Sequence, residues 1–583
     1  MCPSVLWRAL AGGCAALACQ YAILCSTAKA GDPPATSVIL ISVDTLRADR
    51  LSIYGSRQAR TPNIDSLADR GTLFREIASQ IPLTLPSHVS LFTSTFPFSN
   101  RVEENAAQVP PNPVALASVL REHGYHTAAF IGAVYLEREL GLDRGFDLYD
   151  SPFSFEAFSS LSGSMFFGDR SSNPFRGRDR RDGALVVRAA LQWLRANRSQ
   201  PVFAFVHLFD LHQPYRLPPS AARRPGLSPY DAELEYIDQV VGSFRDALQR
   251  DGWWDRSLVI LLSDHGEGLG EHGEETHGYF IYQSTLRVPL LVHWPSGSSG
   301  YVRCASQPAA LMDVAPTILD FLHLPAPPSF AGRSLLKGLN SGNPGDPAEV
   351  YGESLYSHDA FGWSALRSLR VGRYKYIAAP RPELYDLETD PGESRNVIAR
   401  QPAEARSLEA RLSNLLATHA PDRPTSGSVI PPARLAALQS LGYLAPGRQV
   451  LKDSGPDPKD KLAEYRDYEQ AQHEILSGRN NNAIAILRRL LERDPRNTLA
   501  RRDIGVAYNA QACYDKARAN LQQVLAVAPD DFVAQFELGL ADEHLGLLPE
   551  ALDHLRTACE MAPQSGGCRR ELQALQQKMV DDF

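Results

Sequence analysis

Two carboxylates, several imidazoles and one hydroxyl are the groups of this chain whose types could do chemistry together. They sit in five stretches of its first half. These are Val43-Asp44-Thr45, Thr61-Pro62-Asn63-Ile64-Asp65, Leu83-Thr84-Leu85-Pro86-Ser87-His88, and Val206-His207 with Leu211-His212-Gln213-Pro214. The fifth is Ser263-Asp264-His265-Gly266-Glu267, which runs on to Glu271-His272-Gly273 and Thr276-His277-Gly278. Each has a plain structural explanation when taken singly: Asp44 could cap a turn, Thr84 before Leu-Pro could punctuate a loop, and Asp264-His265 could be a surface pair. As a set they make a donor group. Carboxylate oxygen with imidazole nitrogen suits a divalent cation such as Zn, Mn or Mg. A hydroxyl beside such a cation can ionise near neutral pH and attack an ester phosphorus or sulfur.

The elements needed to gather these residues are legible in the hydrophobic pattern. Ser37–Val43 is a continuous apolar run ending at Asp44, which reads as a parallel strand buried on both faces with a polar residue at its carboxyl end, where open α/β sheets place ligands. Thr127–Ile131, Val202–Val206 and Leu258–Leu262 read the same way, with His207 and Asp264 at or just past the ends of the last two. Amphipathic stretches at Val114–His123 and Asp182–Arg195 alternate with them, predicting a large parallel sheet with helices on both faces. Gly332–Leu444 is more polar, with Arg370–Ile377 alternating like one antiparallel strand, and 449–461 is charged and turn-rich like a linker.

The tail repeats itself. Pro495, Pro529 and Pro563 recur at a 34-residue period, as do Ala483, Ala517 and Ala551, and upstream of them Ala471, Gly505 and Gly539. Small residues where two helices touch, with a proline closing each unit, are the pattern of tetratricopeptide repeats, which 462–583 resembles. Such arrays hold peptide segments or partner proteins.

Composition bounds the rest. The chain has 583 residues, 44% of them hydrophobic and 22% charged, which permits a sizeable core and excludes global disorder. Its net charge of −8 gives no basic footprint for nucleic acid. Four of the eight cysteines (Cys2, Cys14, Cys19 and Cys25) lie in the first thirty residues; Cys304, Cys513, Cys559 and Cys568 follow, too few for a disulfide framework, though one bridge among the last three fits. Arg8, the apolar run Ala9–Leu24 and Ala28-Lys29-Ala30 make an n-region, an h-region and a cleavage site, so 1–30 reads as a secretory signal. The expected location is exported, periplasmic or extracellular, with membrane contact only if that segment is retained as an anchor.

On its motifs, Ser37 to about Leu444 resembles the sulfatase branch of the alkaline phosphatase superfamily. The stretches VILISVDTLRADRLSIYG, TPNIDSLADRGTLF, TLPSHVSLFTS, LHQPY, SDHGEGLGEHG, RVPLLVHWP, GRYKYI and LYDLETDPGE stand in that family's order. The resemblance implies a doubly wound α/β core over 31–331, a smaller α+β subdomain over 332–448, a linker over 449–461 and the all-α repeat solenoid over 462–583. It further implies that Asp44, Asp264 and His265 ligate a divalent metal (Zn, Mn, Mg or Ca), with Thr84 capping it from the nucleophile position. Thr45 stands where many sulfatases carry a second aspartate, and His88 where they carry an arginine. His277, twelve residues past His265, matches a histidine that contacts the substrate or a second metal; His207 and His212 bracket another, and His212 fits its His-x-Pro context better.

Sulfatases oxidise a cysteine or serine at the nucleophile position to formylglycine. Threonine cannot yield that aldehyde, because its carbinol carbon bears a methyl group. Threonine nucleophiles occur in related phosphodiesterases and phosphotransferases, so the expected activity is metal-dependent hydrolysis or transfer of phosphate or sulfate esters by an in-line covalent mechanism. Phosphodiester or phosphotransfer chemistry is favoured over sulfatase chemistry, with His88, His212 and His277 as the acid–base and anion-binding groups. Two alternatives stand beside it: sulfate-ester hydrolysis without formylglycine, and a catalytically lapsed module that binds proteins through its repeats.

Overall fold

The computed structural model describes residues 36–105, 107–153, 180–218, 221, 224–341, 348–420, 455–562 and 566–581. The expected signal segment 1–30, its four cysteines, Pro563 and residues 449–454 of the expected linker lie outside the described residues.

The apolar run Ser37–Val43 is β1, buried at every position. Alternate residues explain why no polar face is needed. Val38 and Leu40 enter one core with helices α1 (Thr84–Thr93), α2 (Leu116–Glu122) and Val314–Phe321, whereas Ile39, Ile41 and Val43 enter a second with Gly183–Ala196 and Pro229–Arg250. The nine-stranded sheet adds β2 (Gly71–Ala78), β3 (His126–Phe130), β4 (Leu148–Asp150), β5 (Val202–Leu208), β6 (Ser257–Leu262), β7 (Arg287–His293), β8 (Cys304–Ala305) and β9 (Ala309–Ala310). Its order is β4-β3-β5-β1-β6-β7-β2-β8, with β9 also on β2. The first five are parallel, as expected, but β7 is antiparallel to both β6 and β2, so the sheet is mixed rather than purely parallel.

A four-stranded antiparallel sheet follows: β10 (Glu349–Ser354), β11 (Leu366–Val371), β12 (Tyr374–Ala378) and β13 (Glu383–Asp386). The stretch expected as one strand over Arg370–Ile377 is instead the junction of β11 and β12. Gly372, at φ +58, turns the chain between them.

Seven helices make the tail: α3 (Leu462–Leu476), α4 (Asn480–Arg493), α5 (Thr498–Asn509), α6 (Tyr514–Leu525), α7 (Phe532–His544), α8 (Leu548–Met561) and α9 (Gly566–Asp581). The small residues of the repeat sit at helix contacts. A Cβ on Gly505 would lie 2.6 Å from Leu521 Cγ, and one on Gly539 2.7 Å from Leu555 Cγ. Asn497 and Asp531, again one period apart, cap α5 and α7 through the Ala500 and Ala534 amides. Cys559 and Cys568 are bridged, while Cys304 and Cys513 are free thiols. No helix among the described residues is long and apolar enough to cross a membrane.

Candidate active site

Strand register brings the chemistry to one place. Ser42 of β1 pairs with His207 of β5 on one side and Leu262 of β6 on the other, so Asp44 and Asp264 both emerge two residues past that row. Even-numbered β1 residues face α1, and Ser42 meets that helix directly: its hydroxyl donates to His88 Nε2 at 3.0 Å. The His88 ring donates from Nδ1 to the Thr84 carbonyl at 2.7 Å. Thr84 is the first residue of α1, where the helix dipole favours developing negative charge. Its hydroxyl lies 3.2 Å from Asp44 Oδ2 and 3.5 Å from His265 Nε2.

Around this hydroxyl the imidazoles and carboxylates close up. His265 Nε2 is 3.5 Å and His88 Nδ1 3.7 Å from Asp264 Oδ2, and His207 Nε2 is 3.5 Å from Asp44 Oδ2. Asp44, Thr84, His88, His207, Asp264 and His265 are all 0% exposed. His212 and His277, their rings 5.1 Å apart, are the members that reach solvent, and the His277 ring lies 4.4 Å from that of His265. Nδ1 of His277 is 3.0 Å from Glu267 Oε1, and Nδ1 of His212 donates to the Gln213 carbonyl at 2.6 Å.

Burial sets the ionisation. It pushes Asp44 up to about 6, against the opposing pull of His265, and it raises Asp264, with Asp44 adding to the effect. It pushes His88 and His207 down to about 4, and His212 and His277 well below the ordinary histidine value. His265 goes the other way: burial opposes its charge, but Asp264 and Asp44 overcome that. Burial lifts Glu267 to about 8. Among the described residues, the ion-pair partners of Asp44 and Asp264 are histidines rather than lysine or arginine.

Those residues fit a divalent cation. One donor atom each from Asp44, Asp264 and His265 lies within 4.8 Å of the others, and the same holds for His88, His207 and Asp264. Asp44 Oδ1, Asp264 Oδ2 and both His207 ring nitrogens are buried without a hydrogen-bond partner among the described residues, an arrangement that is costly unless something positive binds there.

Of the expected site residues, Asp44, Thr84, His88, Asp264 and His265 converge, with His212 and His277 at the rim. His207, ranked below His212 on motif context, lies deeper and faces Asp44 directly; its place at a strand end was the signal for it. Thr45, at φ 55, turns its hydroxyl to the Leu211 carbonyl rather than into the cluster. The Thr61–Asp65 stretch stays structural, with Thr61 bonded to Asp65 and Asn63 to Asp238. His272 stacks on Tyr282 and lines a separate cavity with Arg47 and Gly392.

Residues 36–324 match the Sulfatase family, 270–420 the C-terminal part of N-sulphoglucosamine sulphohydrolase, and 510–566 a tetratricopeptide repeat. The chain is 23% identical over 463 residues to arylsulfatase K of Bos taurus, covering 66% of this chain and 82% of that protein. It is 24% identical over 441 residues to an arylsulfatase of Clostridium perfringens, covering 62% and 90%. Among solved structures, the phosphonate monoester hydrolase of Agrobacterium radiobacter superposes with a TM-score of 0.54 at 23% identity, covering 66% of this chain and 96% of that one. A 2-O GAG sulfatase superposes at 0.52 and 19%, covering 66% and 92%. Both superpositions speak to the fold.

Proposed function

We propose, from the premise that this chain carries a sulfatase-family domain, that it is a metal-dependent ester hydrolase with the Thr84 hydroxyl as nucleophile. The observation that carries the reading is the position of Thr84 Oγ1, 3.2 Å from Asp44 Oδ2 and 3.5 Å from His265 Nε2 at the start of a buried helix. A divalent cation held by Asp44, Asp264 and His265 would supply positive charge beside the attacking oxygen and the attacked group.

The chain's own groups do the rest. Thr84 gives its proton to Asp44 Oδ2 as Oγ1 bonds to the ester phosphorus or sulfur. The bond to the leaving oxygen breaks in line, and that oxygen takes a proton from His277 Nε2 as Glu267 passes its own to Nδ1. His212 binds a non-bridging oxygen at the rim. Water then attacks the phosphorus or sulfur, its proton returning through His277 to Glu267 while Asp44 gives back the proton of the Thr84 hydroxyl, and the acid is released. His88 takes a different part from the acid–base one expected for it. Both its ring nitrogens are bonded within the protein, so it holds the turn that presents Thr84.

The substrate class is an ester of sulfate, phosphate or phosphonate. The relatives named above are sulfatases and a phosphonate monoester hydrolase, and those names give no support to a phosphodiester over a sulfate ester. They favour a sulfate ester as the substrate of the second reading; that an unmodified threonine attacks it is read from Thr84 alone. The preference for phosphoesters rests on Thr84 alone. Export is inferred from the Ala28-Lys29-Ala30 segment and from the Cys559–Cys568 bridge, a bond that persists in oxidising compartments. The repeats take a protein or peptide partner.

The test is turnover of aryl sulfate, aryl phosphate and phenylphosphonate esters by the purified chain supplied with Zn, Mn, Mg or Ca. We expect turnover of at least one ester class, lost in Thr84→Ala. A Thr84→Ala protein with wild-type turnover on that ester overturns the mechanism.

A further inference from the structure

The first helix of the tail does not stand apart from the catalytic half. Helix α3 lies against a hairpin, residues 266–278, that begins one residue past His265 and carries His277 on its returning leg. The hairpin is closed by its own backbone: the Gly268, Leu269 and Gly270 amides donate to the Thr276, Glu275 and Glu274 carbonyls. Glu267 on one leg holds His277 on the other.

Two guanidinium groups grip this hairpin from opposite ends of the chain. From the segment after β1, Arg47 donates to the Glu267 and Gly268 carbonyls at 3.1 and 3.3 Å and pairs with Glu271 at 2.6 Å. From the tail, Arg466 donates through Nε to the Gly273 carbonyl at 2.8 Å. Beside it, the Tyr465 hydroxyl lies 3.2 Å from Thr276 Oγ1, next to His277 in sequence, and its ring stacks on Tyr279 at 4.1 Å and 13°. The Tyr279 hydroxyl in turn donates to the Pro458 carbonyl at 2.6 Å. The fit is close at Gly273, which has φ +85. A Cβ there would sit 2.5 Å from both Arg466 Nη2 and Leu462 Cδ2. That glycine is needed both for its backbone and for the approach of α3.

We propose that Tyr465 and Arg466 are positioning residues of the active site: the first repeat helix is the second jaw that fixes the hairpin and, through it, His277 and Glu267. The inference rests on the role given to His277 above. Its consequence is that the ester site is assembled from both halves of the chain, and that the helix opening the repeat array is also part of the catalytic framework. Arg466 holds the tip of the hairpin and Tyr465 its returning leg, so the loss of both frees the leg that carries His277 while Asp44, Thr84 and Asp264 stay on the sheet and α1.

The experiment compares the full wild-type chain with Arg466→Ala, Arg466→Lys, the double variant Tyr465→Phe/Arg466→Ala, and Thr84→Ala. On the ester that wild type turns over best, kcat is expected to fall about tenfold in Arg466→Ala and further in the double variant, with little change in KM. Arg466→Lys, which keeps a donor for the Gly273 carbonyl, is expected to restore most of the loss. Hydrogen exchange at the Gly268, Leu269 and Gly270 amides is expected to quicken about tenfold in Arg466→Ala, with the β1 amides unchanged. Wild-type exchange at those three amides in the double variant overturns the proposal, whether or not the chain turns over any ester. So does a wild-type kcat in the double variant when Thr84→Ala is dead. Loss of turnover in none of the variants, Thr84→Ala included, instead overturns the threonine mechanism, and the exchange result then decides the positioning role alone.

Discussion

The carboxyl edge of the large sheet and the repeat tail both bury charge, and they balance it differently. In the tail, Arg502 is 1% exposed, with Nε 3.1 Å from Asp503 Oδ1 and Nη1 3.7 Å from Asp531 Oδ2. Burial works against its charge, but the two aspartates hold the guanidinium above its ordinary value. At the sheet edge, Asp44 and Asp264 face each other and a group of histidines, most of which burial keeps neutral. The tail thus supplies a permanent cation, whereas the edge has only the His265 imidazole, whose charge Asp264 and Asp44 favour. Buried carboxylate oxygens beside unpartnered, neutral imidazole nitrogens are donors for a divalent cation, so the difference marks the edge as a binding place and the tail as a closed structural device.

The largest effect expected from breaking this contrast is on chemistry. Thr84→Ala should lower ester turnover by about 10³-fold or more with an unchanged melting temperature, measured by steady-state kinetics and thermal unfolding. Next, Arg502→Ala leaves Asp503 and Asp531 buried without their cation and should cost about 3–5 kcal/mol, read by denaturant unfolding of the tail. Gly505→Ala forces a Cβ against Leu521 and should cost about 1–3 kcal/mol, despite the better helix propensity of alanine. Asp264→Asn should have the opposite sign. By separating two crowded carboxylates it should stabilise the metal-free chain slightly, by about 1 kcal/mol, while abolishing its stabilisation by added divalent metal.

A further expected effect is a pH dependence of the tail. Burial lifts the Glu537 carboxyl to about 8, with Asn509 pulling the other way. Because the folded value lies above the unfolded one, near 4.5, the stability from the protonated form is full below pH 4.5 and is lost as pH rises towards 8. The melting temperature of the tail should fall over that window in wild type and fall less in Glu537→Gln.

Much of the framework was legible because its signals are local. Ser37–Val43 reads as a strand from its apolar run, and its bounds are those of β1. The 34-residue period places Gly505 and Gly539 at helix contacts, where Leu521 and Leu555 meet them. Strands β2 and β7 escaped because each breaks the local rule. Arg75 and Glu76 interrupt β2 at a register shift between Phe74 and Ile77, and Pro289 sits in the middle of β7. The two irregularities face each other: Val288 pairs with Ile77 and Leu290 with Phe74, so the proline without an amide lies where the ladder is already broken. At the site, residues at strand ends are readable, whereas Thr84 is found through the motif resemblance and its place at a helix start is not. The ranking of His212 over His207 was not settled by motif context, since depth depends on which face of β5 a residue occupies. The contacts of Tyr465 and Arg466 with the hairpin leave no trace in any window of sequence, because they join segments nearly two hundred residues apart.

Uptake of a divalent cation by the sheet edge is the property on which its difference from the tail depends. Metal content per chain, measured by elemental mass spectrometry after exposure to Zn, Mn, Mg or Ca and desalting, tests this directly. The expected result is at least one divalent cation per wild-type chain, the same in Arg502→Ala, and none in Asp44→Asn/Asp264→Asn. A wild-type chain that retains no divalent cation, or a double variant that retains as much as wild type, contradicts it.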